Sequence, residues 1–274
     1  MNRAAGKHLY IRDEDKLQKL KRLRPIDDEL MRCIFKDNVL LAQRVLCIIT
    51  GKPDLKITKV RTQEDLKRLA GARSLCLDVL CTDDNGKLYN LEIQRGRLGA
   101  GKYRARYHSS ALDIENLKEG QDFSELPDTY VIFITEEDIF GLGRPVYPIE
   151  RVNLATDELF GEGQHILYVN GAYRGDSDIG RLMHDFSCYD PEDMYMDVLA
   201  DSVRPYKQNT KGADKMSEIV EEIVREAVSE AVSEAKIEFA QQLIVMNVLS
   251  FEQIAQAAKL SLEEVKELAL LQTV

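Results

Sequence analysis

The sequence predicts an α/β domain followed by an α-helical tail. Three patterns indicate this organisation: apolar residues at helical spacing over residues 27–49, two alternating strands around a turn at residues 83–86, and a long helical pattern over residues 216–248. Hydrophobic residues make up 44% of the 274 residues, which is enough for a packed core and excludes a disordered chain.

The elements of the α/β domain follow from local patterns. The helix over residues 27–49 ends at Gly51, and a short helix is expected around residues 62–70 with Thr62 as its cap. Apolar and aromatic residues at helical spacing, with Tyr103 and Tyr107 on the buried face, predict a helix over residues 103–117. The other predicted elements are strands near residues 130–135, 145–152 and 165–169, and helices near residues 177–187 and 191–203, the last opened by Asp190-Pro191.

The most informative stretch is the predicted hairpin SLCLDVLCTDDNGKLYNLEIQR, residues 74–95. Because side chains alternate along a strand, one face collects the apolar odd-numbered residues and the other collects Asp78, Asn90, Glu92 and Gln94. A three-residue loop at residues 84–86, with Gly86 in the left-handed conformation, places Asp78 opposite Glu92 at about 5 Å. Two carboxylates so close repel each other, and a hard divalent cation would remove that penalty.

These residues resemble a known family. An Asp, about a dozen residues and then Glu-x-Gln across a hairpin is similar to the PD-(D/E)XK nucleases, and most similar to their recombination-promoting nuclease and putative transposase branch. The flanking segments DDELMRCIF, YRARYHSSALD and ELPDTYVIFITEEDIFG also resemble that branch, so the resemblance covers about residues 24–205. It implies a restriction-endonuclease-like fold, which is a mixed central sheet with a catalytic β-hairpin flanked by helices.

The resemblance also implies an activity and its residues. Asp78 and Glu92 would bind Mg²⁺, with Mn²⁺ or Ca²⁺ as alternatives, and Glu92 or the metal would activate the attacking water. Gln94, in place of the usual lysine, would orient the water or a phosphate oxygen, and Asp28 would hold a metal-bound water. The expected function is a metal-dependent DNA endonuclease that hydrolyses phosphodiester bonds in transposition or recombination.

Other interpretations remain open at this point. Asp78 and Glu92 could be solvent-facing charges on an edge hairpin, although three polar groups facing one another within an apolar hairpin favour a metal site. A catalytically weakened nuclease fold that binds DNA or protein is the second interpretation, because Gln94 lacks the positive charge of lysine and the net charge is −10. A scaffold whose helical tail is the functional part is the third.

A basic cluster follows the hairpin and offsets the overall acidity. It is predicted to contact DNA phosphates and comprises Arg95, Arg97, Lys102, Arg104 and Arg106. His108 lies nearest to the site in sequence, but a packing or surface role is expected for it. We expect no nucleotide cofactor, because no phosphate-binding glycine motif is present.

The predicted domains are a basic N-terminal segment (residues 1–24), the nuclease-like domain (25–206) and the helical tail (213–274), with a polar break at residues 207–213. The tail contains the repeat REAVSEAVSEAK, which predicts coiled-coil-like packing and a homo-oligomer. Capping boxes begin at Ser250 and Ser261 in an end that resembles a helix-turn-helix, although its acidic second helix favours protein contact over DNA contact. Five cysteines, an odd number without zinc-binding spacing, are expected to be buried thiols in a reducing compartment, and with no signal or membrane-spanning segment recognised in the sequence they predict a cytoplasmic protein.

Overall fold

The computed structural model describes residues 21–66, 75–94, 100–208, 235–246 and 249–271, with isolated positions 18, 214, 216 and 232. The chain divides into two compact units. The first unit is Met1–Leu66 with Cys76–Glu218, and the second is Lys67–Leu75 with Ile219–Val274. The predicted basic N-terminal segment and the boundary at residues 207–213 lie largely outside the described residues. None of the described helices is long and apolar enough to cross a membrane.

Within the described residues, a mixed six-stranded sheet forms the centre of the first unit. Its strands are β1 Ile57–Leu66, β2 Leu75–Asp83, β3 Leu88–Gln94, β4 Thr129–Thr135, β5 Val146–Ile149 and β8 Gln164–Asn170, while β6 Val152–Asn153 and β7 Glu158–Leu159 form a separate pair. The strand order is β1-β2-β3-β4-β8-β5. Strands β2 and β3 are antiparallel, β3, β4 and β8 run parallel, and β5 is antiparallel to β8.

Helices flank this sheet and confirm the predicted α/β class. Their bounds are α1 Asp28–Phe35, α2 Val39–Thr50, α3 Lys102–Asn116, α4 Asp178–Ser187 and α5 Asp197–Lys207. Helix α2 packs against β1 and contacts α4 and α5, whereas α3 packs against β4 and β8. All seven residues of β4 are buried, as expected for a central parallel strand covered on both faces.

The helix predicted over residues 27–49 is broken into α1 and α2. Asp37 adopts a left-handed conformation with φ of 56°, which ends the first helix. The side chain of Asn38 then accepts a hydrogen bond from the Leu41 N–H at 3.1 Å and caps the second helix. Apolar spacing alone did not reveal this capping signal.

The short helix predicted around residues 62–70 is wrong, because strand β1 continues to Leu66. Pairing in the sheet overrides the local capping pattern at Thr62. The prediction that began a helix at Pro191 is also wrong. Pro191–Asp193 forms a 3₁₀ turn, and α5 begins at Asp197 because the buried Asp185 carboxylate accepts hydrogen bonds from the backbone immediately before that helix.

The buried face of α3 differs from the predicted one. Tyr103 is 68% exposed, so its assignment to the core is wrong, and Tyr107 is half-buried. The buried face consists of small residues, one leucine and one histidine: Ala105, His108, Ser109, Ala111 and Leu112. Small side chains let the helix approach the sheet closely, which brings His108 against the hairpin.

The described part of the second unit is helical, as predicted. Residues 235–246 are followed by α6 Phe251–Ala258 and α7 Leu262–Leu271, and both capping boxes are present at Ser250 and Ser261. Lys259 occupies the turn in a left-handed conformation with φ of 54°. These helices share a small core that includes Ala240, Ile254 and Val265. Most of the repeat REAVSEAVSEAK lies outside the described residues.

Candidate active site

The β2–β3 hairpin has the predicted register. Val79 pairs with Leu91, and one further step along the two strands places Asp78 opposite Glu92. The loop has the predicted length of three residues, and Gly86 is left-handed with φ of 81°. The Asp83 carboxylate stabilises the loop by accepting hydrogen bonds from the backbone N–H groups of residues 85 and 87 at 2.9 and 2.8 Å.

The two carboxylates are buried, which contradicts the edge-hairpin interpretation. Strand β3 lies inside the sheet between β2 and β4, so the hairpin has neighbours on both sides. Asp78 is 8% exposed and Glu92 is 0% exposed. Buried acidic groups cost considerable free energy unless hydrogen bonds or cations compensate their charge. The groups around each carboxylate therefore define the site.

Glu92 is surrounded by donors. Its Oε1 accepts a hydrogen bond from Asn90 Nδ2 at 3.1 Å and another from the backbone N–H of Asp78 at 3.3 Å. His108 Nδ1 lies 3.3 Å from the same oxygen, and Arg104 donates to Oε2 at 3.4 Å. Donors from the hairpin and from α3 therefore surround both oxygens of this carboxylate.

His108 connects Arg104 to Glu92. Arg104 Nε donates to His108 Nε2 at 3.2 Å, and since arginine cannot accept, this ring nitrogen is the acceptor. In its neutral form the ring then carries its proton on Nδ1, the atom that faces Glu92. The ring is 0% exposed and packs edge-on against Phe133 of β4. Helix α3 thus positions a histidine and an arginine over the hairpin.

Asp78 has a different environment. Its Oδ2 accepts from the backbone N–H of Ile93 at 3.2 Å, and its Oδ1 lies 3.7 Å from Arg32 Nη2. The same Arg32 nitrogen forms an ion pair with Asp28 at 2.8 Å, so one guanidinium lies between the two aspartates. Burial, followed by the negative charges of Glu92 and Asp28, raises the pKa of Asp78 well above its usual value.

Asp28 lies in the first turn of α1, and its side chain is 48% exposed. Partial desolvation raises its pKa, and the charges of Glu29 and Glu92 act in the same direction against the ion pair with Arg32. Arg32 therefore holds Asp28 beside the hairpin, next to Asp78. The predicted acidic position on the helix before the hairpin is brought to the site.

Gln94 ends β3, two residues beyond Glu92, and strand alternation places it on the same face as Glu92.

The structure describes three of the five residues of the predicted basic cluster. Lys102, Arg104 and Arg106 are exposed residues in the first turns of α3, whereas Arg95 and Arg97 lie outside the described residues. Of these cations, Arg104 contacts the carboxylate pair directly.

The donor set suits a hard divalent cation. Asp78 and Glu92 offer carboxylate oxygens from opposed positions, and burial together with the charges of Glu92 and Asp28 raises the pKa of Asp78, which a bound cation would oppose. Arg32 and Arg104 supply positive charge to these carboxylates. A bound Mg²⁺ would compete with these two guanidinium groups for the carboxylate oxygens.

Sequence reasoning missed three residues that touch the carboxylates. The sequence prediction places Asn90 on the hairpin face but not among the site residues, gives His108 a packing or surface role, and does not include Arg32. The shared face of Asn90 and Glu92 was an available signal. His108 is four residues after Arg104, a spacing that puts both side chains on one face of a helix. No local signal links Arg32 to Asp78.

A buried carboxylate pair on adjoining strands, followed by Gln94, lies in a mixed sheet flanked by helices, which is consistent with a restriction-endonuclease-like fold. The family model described as PD-(D/E)XK nuclease family transposase matches residues 36–170, just under half of the chain. The match contains the hairpin, α3 and strands β4 to β8. Searches of curated proteins and of solved structures gave no match.

Proposed function

We propose that the protein is a metal-dependent DNA endonuclease that hydrolyses phosphodiester bonds in transposition or recombination. The observation that carries the proposal is the buried Asp78–Glu92 pair, in which one carboxylate is surrounded by donors and the other has a raised pKa. The match of residues 36–170 to the PD-(D/E)XK nuclease family transposase model supports a nuclease-related role.

Asp78 and Glu92 would hold the divalent ion, and Asp28 would hold a water beside it. The ion, when bound, polarises the phosphate and stabilises the charge that builds up on it. Glu92 accepts the proton of the attacking water, while Asn90 and His108 fix the orientation of its carboxylate. Gln94 orients the water or a phosphate oxygen through its side-chain amide.

The start of α3 offers a surface for the DNA backbone. Tyr103 is exposed, and Lys102 Nζ and the Arg106 guanidinium lie 5.4 and 5.7 Å from the centre of its ring. No acidic residue occupies the first turn of α3, so the positive end of the helix is not neutralised there. Arg104, with a side chain 41% exposed, can turn from Glu92 toward a phosphate. Cations and an aromatic ring beside the carboxylates suit a polyanionic substrate.

Cleavage of supercoiled plasmid in Mg²⁺, Mn²⁺, Ca²⁺ or EDTA tests this proposal. We expect nicking in Mg²⁺ or Mn²⁺, no nicking in EDTA, and at least about 100-fold slower nicking by Asp78→Asn, since stabilisation of transition-state charge contributes factors of this size. Lys36→Gln, an exposed change just after α1, is the matched control and should cut at the wild-type rate. Cutting that continues in EDTA would contradict the proposal.

A catalytically weakened module that binds DNA or protein is the second candidate. The observation that favours it is that Arg104, Asn90 and His108 already surround Glu92, so the fold can satisfy this charge with its own residues. This candidate requires salt-sensitive DNA binding that survives Asp78→Asn, without metal-dependent turnover. Measured turnover that is lost in EDTA would exclude it.

The helical tail is proposed to mediate self-association. Phe239, Val245 and Met246 are 46%, 74% and 64% exposed on the described helical stretch of residues 235–246. Apolar side chains grouped on one exposed helix are typical of a protein contact surface. A second copy of the same helix would cover them.

A further inference from the structure

A second cluster of metal-ligating side chains lies away from the carboxylate pair, at the end of α4. His184 and Cys188 are four residues apart, one helical turn, and Asp185 is next to the histidine in sequence. Their ligand atoms all lie within 4.8 Å of one another. Among the described residues, no other group of three His, Cys, Asp or Glu side chains meets this condition.

We propose that His184, Asp185 and Cys188 bind a zinc-like divalent ion. The Cys188 sulfur lies 3.5 Å from His184 Nδ1, and Asp185 Oδ1 lies 3.0 Å from the same nitrogen. In a tetrahedral site, Zn–S bonds of about 2.3 Å and Zn–N bonds of about 2.0–2.1 Å put sulfur and nitrogen about 3.5 Å apart. The observed separation of these two ligands therefore already fits such an ion.

The surroundings hold this cluster in place. The two oxygens of Asp185 accept hydrogen bonds from the backbone N–H groups of Tyr195 and Met196 at 2.9 and 2.8 Å, and Asp185 is 0% exposed. The tyrosine ring also packs against the His184 ring, with centroids 4.7 Å apart. Preorganised ligands lose little entropy on binding a metal, and outer hydrogen bonds of this kind orient them.

A cavity of about 550 Å³ adjoins the histidine of this cluster. His184 lines it together with Arg174, Arg181 and Tyr195. In a tetrahedral site, three protein ligands leave one coordination position for water or another small ligand. The ion would also connect α4 to the segment leading into α5, since Asp185 is already bonded to that segment.

The chemistry separates this ion from the one proposed at the hairpin. A thiolate with an imidazole selects zinc or cobalt, whereas the hairpin carboxylates offer oxygens alone and suit magnesium. Thiolate ligation gives a spectroscopic signal that an all-oxygen site lacks. The two sites can therefore be measured independently, and this proposal does not depend on nuclease activity.

Titration of the full-length metal-free protein with Co²⁺ tests the proposal. We expect one equivalent of Co²⁺ to give thiolate-to-metal charge-transfer absorption and tetrahedral visible bands, which one equivalent of Zn²⁺ removes. Cys188→Ser should lose the charge-transfer band. His184→Ala should weaken binding at least about tenfold. Cys47→Ser, which changes a half-buried thiol on α2, and Glu92→Gln at the hairpin should keep the full signal.

Two results would overturn the proposal. One is the absence of a charge-transfer band in the folded wild-type protein, which would mean that the three side chains form hydrogen bonds only. This measurement does not require any variant to fold. The other is a band of unchanged intensity in Cys188→Ser with a wild-type circular dichroism spectrum, which would assign the signal to another thiol.

Discussion

Two substitutions of Glu92 distinguish its structural role in the hairpin from its proposed catalytic role. Its Oε1 accepts hydrogen bonds from Asn90 and from the backbone N–H of Asp78 and lies 3.3 Å from His108 Nδ1. Its Oε2 forms an ion pair with Arg104. We expect Glu92→Ala and Glu92→Gln to abolish cleavage equally, because neither side chain can bind the metal or accept a proton as a carboxylate does. Their stabilities should differ strongly.

The expected difference follows from the partners that each variant leaves behind. Alanine removes the acceptor of buried donors, and each unsatisfied donor costs about 1–3 kcal/mol. Removing one partner from a buried charged network typically costs about 3–5 kcal/mol in total, and we adopt that range for Glu92→Ala. Glutamine can keep its oxygen at the Oε1 position and turn its NH₂ toward Arg104, which is partly exposed and can move. The cost of Glu92→Gln should stay below about 1.5 kcal/mol.

Thermal unfolding in EDTA measures this difference without metal binding. For a unit of this size, each 1 kcal/mol shifts Tm by about 2–4 °C, so Glu92→Ala should melt roughly 6–20 °C below wild type. Glu92→Gln should melt within about 6 °C of wild type. If Glu92→Ala melts at the wild-type temperature, the carboxylate does not hold these donors and the description of the site is wrong.

Two further predictions concern Asp78 and the tail. The pKa of Asp78 is raised in the folded state. The stability that the protonated Asp78 carboxyl contributes is therefore fully present below the usual pKa of about 4, and it is lost as the pH rises through the pKa of the folded state. Asp78→Asn should therefore unfold at a higher urea concentration than wild type at about pH 7 in EDTA, and near the wild-type concentration at about pH 4; equal midpoints at both pH values would contradict the raised pKa. In the tail, Val245→Glu with Met246→Glu should reduce the mass measured by light scattering to that of one chain, with Glu252→Gln as the control; an unchanged mass would argue against self-association through this helix.

The carboxylate hairpin was predictable because everything that specifies it is local. Strand alternation, a three-residue loop and one left-handed glycine fix the register within about twenty residues, and the structure has that register. The mixed central sheet and the flanking helices also agree with the class expected from the sequence. Local periodicity predicts the structure of a segment correctly where the contacts that stabilise it lie within that segment.

The remaining errors come from contacts between distant segments. Residues 62–66 form a strand because they pair within the sheet, which no local pattern at Thr62 reveals. The fit of small residues and His108 against the sheet determines which side of α3 is buried, so the apolar spacing of the sequence predicts the wrong face for Tyr103. Arg32 reaches Asp78 from a helix forty-six positions earlier in the chain. Tertiary packing decides such contacts after the elements have formed.

The rate of Mg²⁺-dependent plasmid nicking by wild type and by Glu92→Gln, measured on samples with matching circular dichroism spectra, tests directly whether the Asp78–Glu92 pair is catalytic. We expect Mg²⁺ to support nicking by wild type and Glu92→Gln to lower the rate at least about 100-fold while remaining folded. Nicking by folded Glu92→Gln at the wild-type rate would contradict the assignment of the Asp78–Glu92 pair as the catalytic site.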